Sequence, residues 1–278
     1  MQLTIEHQTQ YVYSESVPYT IQQLRLTPRS DPRQQVKQWE IKVAGQLTPF
    51  EDAFGNQAHT LVIDHPHQAL LITVSGEVDT RQAQSSPADA LPLALFLRET
   101  PLTQPDDAIA GFVQAFAHAP ALEMMQALRE RMQYSKGATQ VTTPAALAFQ
   151  LGKGVCQDHA HAFIACCRSL GWPARYVSGY LFTEDGSLMQ THAWVEVWQH
   201  DAWLGLDVSN GKVVDETHIK LAVGLDYRSA SPVTGSRMGG GLEGMASVVS
   251  VNRQAALSEA ERHARLQQLH AQAQAAQQ

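Results

Sequence analysis

One helix constrains this chain more than any other feature. From Cys156 to Leu170, closed by Gly171, the apolar residues Ala160, Phe163, Ile164, Cys167 and Leu170 recur at helical spacing and form one stripe. At about 100° per residue, Cys156 sits in the middle of that stripe. Gly152 and Gly154 precede it, so a cysteine opens the helix and is turned toward whatever the helix packs against. The chain beyond the helix reads as β: Ala174–Phe182, His192–Trp198 and Trp203–Val208, with a hairpin loop TEDGSLMQ between the first two. The fold class is therefore α+β.

The first eighty residues have a different character. Leu3, Ile5, His7, Thr9, Tyr11 and Tyr13 alternate with polar partners, and Val36–Val43, His59–Asp64 and Ala69–Val78 repeat the pattern. Pro28, Pro32, Gly45, Pro49, Gly55 and Pro66 punctuate them, which predicts a small antiparallel sandwich. Pro and Ser at both ends of residues 81–105 place a boundary near Ser86. Helical composition then takes over at 106–118 and 121–133, and Thr143-Pro144 opens a short helix, ALAFQL, that stops at Gly152. A Gly-rich stretch, MGGGLEG, precedes one more strand, Ala246–Val251. The expected division is a β-rich domain at 1–85, a mixed α+β domain at 86–254 that carries Cys156, and an Ala/Gln-rich tail at 255–278. Ser258 with Glu261 fits a capping box in that tail, which is helical or disordered.

Composition narrows the function classes. Of 278 residues, 44% are apolar and 17% charged, enough to bury a core. A net charge of -7 without a Lys/Arg run argues against a nucleic-acid partner. The N-terminus lacks a basic region followed by an apolar one, and no stretch approaches the ~18 apolar residues of a membrane span. The expected address is cytoplasmic, with no membrane partner. Three cysteines, Cys156, Cys166 and Cys167, read as free thiols. The last two read as small core hydrophobes.

A thiol is a strong nucleophile only as thiolate, and a helix N-terminus and a neighbouring imidazole both favour that form. Cys156 has the first. His192 opens a strand in THAWVEVW and Asp207 ends the next in WLGLDVSNG. If those strands are antiparallel neighbours turned near His200-Asp201, His192 and Asp207 lie adjacent across the ladder. The carboxylate then orients the imidazole while its other nitrogen takes the thiol proton, in a Cys-His-Asp version of the triad.

These stretches carry a resemblance. QYSKGATQVTTPAALAFQLGKGVCQDHAHAFIACCRSLGWPARYVSGY, THAWVEVW and WLGLDVSNG resemble the core of the bacterial transglutaminase-like family. HIKLAVGLDY and SPVTGSRMGGG resemble its trailing segment, and the β-rich first eighty residues its N-terminal region. The likeness covers roughly residues 1–251. It implies a papain-like α+β core with Cys156, His192 and Asp207 in the catalytic positions. Two departures stand out: the usual D-P-T-N reads Asp207-Val208-Ser209-Asn210, and position 159 is His where an aromatic is common.

The expected activity is cysteine-dependent acyl transfer through a thioester, with hydrolysis of a peptide or isopeptide amide favoured. The alternatives are an amine-accepting, cross-linking transglutaminase and a non-catalytic binding module on the same fold. Spaced Asp and Asn of a calcium loop are lacking, so no cofactor or metal is expected, and oligomeric state is left open. Gln150, six residues before Cys156, is a candidate oxyanion donor, and Trp194 and Tyr180 are candidates to wall the substrate groove. His159 and His161 point about 200° apart on a helix and so cannot share an ion; His161 falls on the polar side. His65 and His67 read as loop residues.

Overall fold

The computed structural model describes residues 1–82, 85–86, 90–184 and 191–253. The expected tail at 255–278 lies outside the described residues. Two four-stranded antiparallel sheets form a sandwich. One consists of β1 (Gln2–Val17), β3 (Gln34–Val43), β6 (His67–Thr80) and β16 (Glu243–Asn252), in the order β16-β1-β6-β3. The other consists of β2 (Tyr19–Leu24), β4 (Gln46–Glu51), β5 (Gln57–Ile63) and β15 (Val233–Met238), in the order β15-β2-β5-β4. Leu3, Ile5, Leu24, Leu61, Ile72 and Val74 fill the space between them, as the period-two pattern requires. Pro49 punctuates nothing: it lies inside β4, where the edge position leaves its missing N–H without cost.

The last strands do not continue the second half of the chain. β15 pairs with β2, and β16 pairs with β1 from Thr4↔Asn252 to Tyr13↔Glu243. Residues 233–252, which the sequence groups with 86–254, complete the N-terminal sandwich. The chain thus leaves that sandwich, builds the second body and returns.

The second body is a sheet with helices on one face. Its strands are β7 (Ser85–Ser86), β10 (Ala174–Leu181), β11 (His192–Gln199), β12 (Ala202–Asp207), β13 (Lys212–Val213) and β14 (His218–Gly224). They run β13-β12-β11-β10-β14, with β7 also on β12. His200 (φ 51) and Asp201 (φ 58) turn β11 into β12, both in the left-handed region that matches strand twist in a two-residue hairpin. The helices are α1 (Asp107–Val113), α2 (Ala121–Arg131), α3 (Ala145–Leu151), α4 (Cys156–Ser169) and a single turn, α5 (Tyr227–Ala230). Among the described residues, no helix is long and apolar enough to cross a membrane.

Helix α4 lies across β10 and β11 and beneath α1, α2 and α3. Every residue from Asp158 to Arg168 is buried, so the helix has no polar side; it is the centre of the body rather than its surface. Most of its polar side-chain atoms find partners inside the body, although among the described residues His161 Nδ1 and Asp158 Oδ1 do not. His161 Nε2 accepts from the Tyr227 N–H at 3.0 Å. Arg168 donates to the carbonyls of Phe96, Ala174 and Leu225 and to Thr103 Oγ1. This is a correction to His161, and its cause is α5 packing where the sequence shows only a polar flank. Gly171 (φ 71) closes the helix, with the Trp172 N–H on the Cys167 carbonyl at 2.9 Å.

Candidate active site

Cys156 owes its position to the four residues before it. Gly152, left-handed at φ 61, ends α3. Two short parallel strands, β8 (Gln133–Tyr134) and β9 (Lys153–Gly154), then fix the backbone entering α4. A Cβ on Gly154 would sit 2.5 Å from the Asp158 Cβ, so only glycine fits there. Asp158 Oδ2 accepts the Val155 N–H at 2.8 Å and the Thr139 hydroxyl at 2.6 Å. Gln157 Nε2 donates to the Val141 carbonyl at 2.9 Å. The loop around 135–143 is therefore tied to the helix start. Cys156 itself is partly exposed, and the first-turn N–H groups and helix dipole favour negative charge at its sulfur.

The hairpin places the other two residues. β11 pairs with β12 through Val195↔Leu206, and one further step sets Asp207 opposite Trp194 and diagonal to His192. His192 Nε2 lies 2.8 Å from Asp207 Oδ2. An ionised carboxylate only accepts, so Nε2 carries the hydrogen and Nδ1 is the ring nitrogen left for the thiol. Burial works to lower the His192 pKa, but hydrogen bonds to Asp207 and Cys156 outweigh it and raise it to about 10. Asp207 is fully buried. Burial opposes its charge, yet the two histidines and their hydrogen bonds hold the carboxyl well below its ordinary range. The substituted turn after Asp207 still closes on it: Ser209 Oγ and the Asn210 N–H reach Oδ1, and Asn210 Nδ2 reaches Oδ2 at 2.7 Å.

A second histidine meets the same carboxylate. His218, the first residue of β14, places Nε2 3.1 Å from Asp207 Oδ2 and Nδ1 3.0 Å from Asp215 Oδ1. Neither His218 nor Asp215 is among the candidates that the sequence marks. The available signal was a histidine opening the strand HIKLAVG, as His192 opens THAWVEVW. Tyr134 is likewise not among those candidates. It pairs with Gly154, stacks on His159 and is half exposed; burial, then the charges of Cys156, Asp207 and Asp158, push its phenol up.

Three expected site residues take other places than those expected of them. Gln150 is exposed on α3 and donates to Asp106 Oδ2 at 2.6 Å, so its amide is engaged at the start of α1. Trp194 is buried among Val177, Val214 and Val223, behind the histidines rather than along a groove. It fits because Gly179 has no side chain: a Cβ there would lie 2.4 Å from the indole. Tyr180 points into the sandwich core, where its hydroxyl meets His7 Nδ1 at 2.8 Å. His159 and His67 are held by structural partners. Both ring nitrogens of His159 face backbone carbonyls, and His67 lies between Thr20 Oγ1 and the His65 carbonyl.

His192, Asp207 and His218 bring three donor atoms within 4.8 Å of one another, the spacing of a cation site. In this structure both histidine ring nitrogens face Oδ2 as hydrogen-bond donors, and Ser209 Oγ, the Asn210 N–H and Asn210 Nδ2 occupy the rest of the carboxylate.

A cysteine opening a buried helix, against a sheet that carries an imidazole–carboxylate pair, defines the class of cysteine-nucleophile α+β proteins. Comparison with known proteins gives the family. Residues 3–79 match the bacterial transglutaminase-like N-terminal region and residues 113–208 the transglutaminase-like superfamily. An uncharacterized protein of Mycobacterium leprae is 29% identical over 275 residues, covering 90% of this chain and 98% of that one. An uncharacterized protein of Mycobacterium tuberculosis is 30% identical over 270 residues, covering 83% of this chain and 86% of that one. A crystal structure from Cytophaga hutchinsonii, described as a "Putative Cysteine Protease", superposes with a TM-score of 0.75 at 20% identity, over 93% of this chain and 92% of that one. The chain belongs to the transglutaminase-like superfamily and has its fold.

Proposed function

We propose that this protein is a cysteine-dependent acyl-transfer enzyme that hydrolyses a peptide or isopeptide amide. The observation that carries the reading is the relay from Cys156 to His192 to a fully buried Asp207, at 2.8 Å between the last two. His192 Nδ1 takes the thiol proton, and Cys156 Sγ bonds to the amide carbon as the C=O pair moves onto oxygen. Free N–H groups at the start of α4 receive that oxyanion. Collapse of the intermediate breaks the C–N bond; the amine leaves with the proton from Nδ1, and a thioester remains. Water then attacks, Nδ1 takes its proton, the acid departs and the thiol is restored. Asp207 keeps Nε2–H pointed at itself throughout, so that Nδ1 faces the sulfur. The name of the Cytophaga hutchinsonii protein agrees with a peptide or protein substrate. Cys156 is partly exposed, and water at roughly 55 M competes well with any amine that lacks its own binding site.

The test is alkylation by iodoacetamide at pH 6, with mass spectrometry locating the adduct. The expected result is fast, selective modification of Cys156 that slows in His192→Ala. Labelling no faster than a free thiol would favour a binding module instead. Amine incorporation exceeding hydrolysis at millimolar amine would make the enzyme a cross-linking transglutaminase.

A further inference from the structure

We propose that His218 is a positioning residue of this site, donating its Nε2–H to the Asp207 oxygen that holds His192 and so limiting how strongly Asp207 stabilises the His192 imidazolium. This rests on the reading of Cys156, His192 and Asp207 as the catalytic set. Three donors converge on Oδ2: His192 Nε2 at 2.8 Å, Asn210 Nδ2 at 2.7 Å and His218 Nε2 at 3.1 Å. Ser209 Oγ and the Asn210 N–H occupy Oδ1. The turn after Asp207 therefore fixes the carboxylate without help, and His218 changes the charge left for His192.

The ring of His218 is built not to move. Its side chain has no exposure, the edge of Trp194 packs against it at 5.3 Å, and Asp215 Oδ1 lies 3.0 Å from Nδ1. Because the carboxylate of Asp207 only accepts, Nε2 is a donor whichever proton Nδ1 carries. Among the described residues, the ionisable groups facing His192 are Cys156 on α4, Asp207 on β12 and His218 on β14. Asp215 stands behind His218, paired with Lys212, and Tyr134 on β8 lies within electrostatic reach of Asp207.

The base step of deacylation sets the direction of the effect. There His192 acts as a base and must first lose its proton. A competing donor weakens the Asp207–His192 bond and lets that proton go at lower pH. Removing the competitor moves the acid limb of kcat upward.

The experiment measures kcat and KM for p-nitrophenyl acetate from pH 4 to 9 in wild type, His218→Phe and His218→Gln. In His218→Phe the acid limb moves up by about one pH unit, roughly tenfold in proton affinity, with KM unchanged. In His218→Gln, whose amide N–H reaches toward the same oxygen, the limb stays within about 0.3 units of wild type. A limb that does not move in His218→Phe, or that moves equally in both variants, overturns the proposal. Should His218→Phe not fold, the histidine ring N–H signals of ¹⁵N-labelled wild type and Asp207→Asn decide. Two ring N–H protons shifting together supports the shared oxygen, and one shifting alone overturns it. Ester turnover that survives Cys156→Ala would remove the catalytic reading as well. Turnover abolished in Cys156→Ala with an unmoved limb in His218→Phe removes only the role of His218.

Discussion

His192 donates from Nε2 to Asp207 Oδ2 across 2.8 Å, on a carboxylate that solvent does not reach. Asp207→Asn keeps the shape but offers an N–H where an acceptor is needed, which favours the wrong tautomer of His192. By analogy with the serine triad, turnover should fall by about 10³- to 10⁴-fold, and alkylation of Cys156 at pH 6 should slow with it. Far-UV circular dichroism shows whether the variant is folded. A folded Asp207→Asn protein whose Cys156 alkylates at the wild-type rate would remove Asp207 from the mechanism.

The same pair makes stability depend on pH. His192 binds its proton more tightly when folded, at about 10 against 6.5, so its stabilisation is full below about 6.5 and is lost as pH rises toward 10. Asp207 acts in the opposite sense: its carboxyl is held well below the ordinary range, and its contribution is lost only in acid. The gap in Tm between wild type and His192→Gln should be widest near pH 5 to 6.5 and close toward pH 10. A gap that is flat across this range would mean that His192 is not held as a cation.

How much of this was legible in the sequence depends on whether the signal was local. The start of α4, the strands at 174–181 and 192–199 and the Cys-His-Asp set are written in short-range patterns, a glycine break, a helical stripe and two strand ends. His218 was not legible because its partner Asp207 is contributed by another strand, with β10 and β11 between them in the sheet. The return of residues 233–252 to the sandwich was hidden for the same reason, since pairing between chain ends leaves no mark on either segment. Burial misled the reading of Tyr180 and Trp194. An aromatic beside a site wets or packs according to which face of the sheet it occupies, and Gly179 decides that for the indole by vacating the space.

Gly179→Ala tests this last point. The added methyl would lie 2.1 Å from the Ile219 carbonyl and 2.4 Å from the Trp194 ring, and the first is backbone within the β10–β14 pairing. Relief requires the sheet to shift next to His218. Overpacking of this kind costs about 1–3 kcal/mol. Urea denaturation should show a lower midpoint, and a midpoint equal to wild type would mean that the strand pair yields freely.

The three thiols should react unequally. Burial pushes Cys166 and Cys167 up, well beyond the ordinary thiol range, whereas Cys156 is partly exposed at a helix start. Native protein with excess iodoacetamide at pH 7 should gain one adduct, and the same treatment in denaturing urea should give three. A second adduct under native conditions would show that α4 opens on the labelling timescale.

Tyr180→Phe separates the two roles this tyrosine was open to. Its hydroxyl is 2.8 Å from Nδ1 of His7, which is wholly buried, with a pKa lowered by burial to about 4, and whose other nitrogen meets Thr9 and Ser247. Removing the hydroxyl leaves a buried ring nitrogen without its partner on the face of the sheet turned to the sandwich, at a cost of about 1–3 kcal/mol. Nothing in that contact reaches Cys156. The expected outcome is a lower Tm with the rate of Cys156 alkylation and the KM for p-nitrophenyl acetate unchanged. A changed KM with an unchanged Tm would return Tyr180 to the substrate groove, and would require a path to the nucleophile from the buried core that Tyr180 shares with Ile219, Leu221, Leu3 and Ile5.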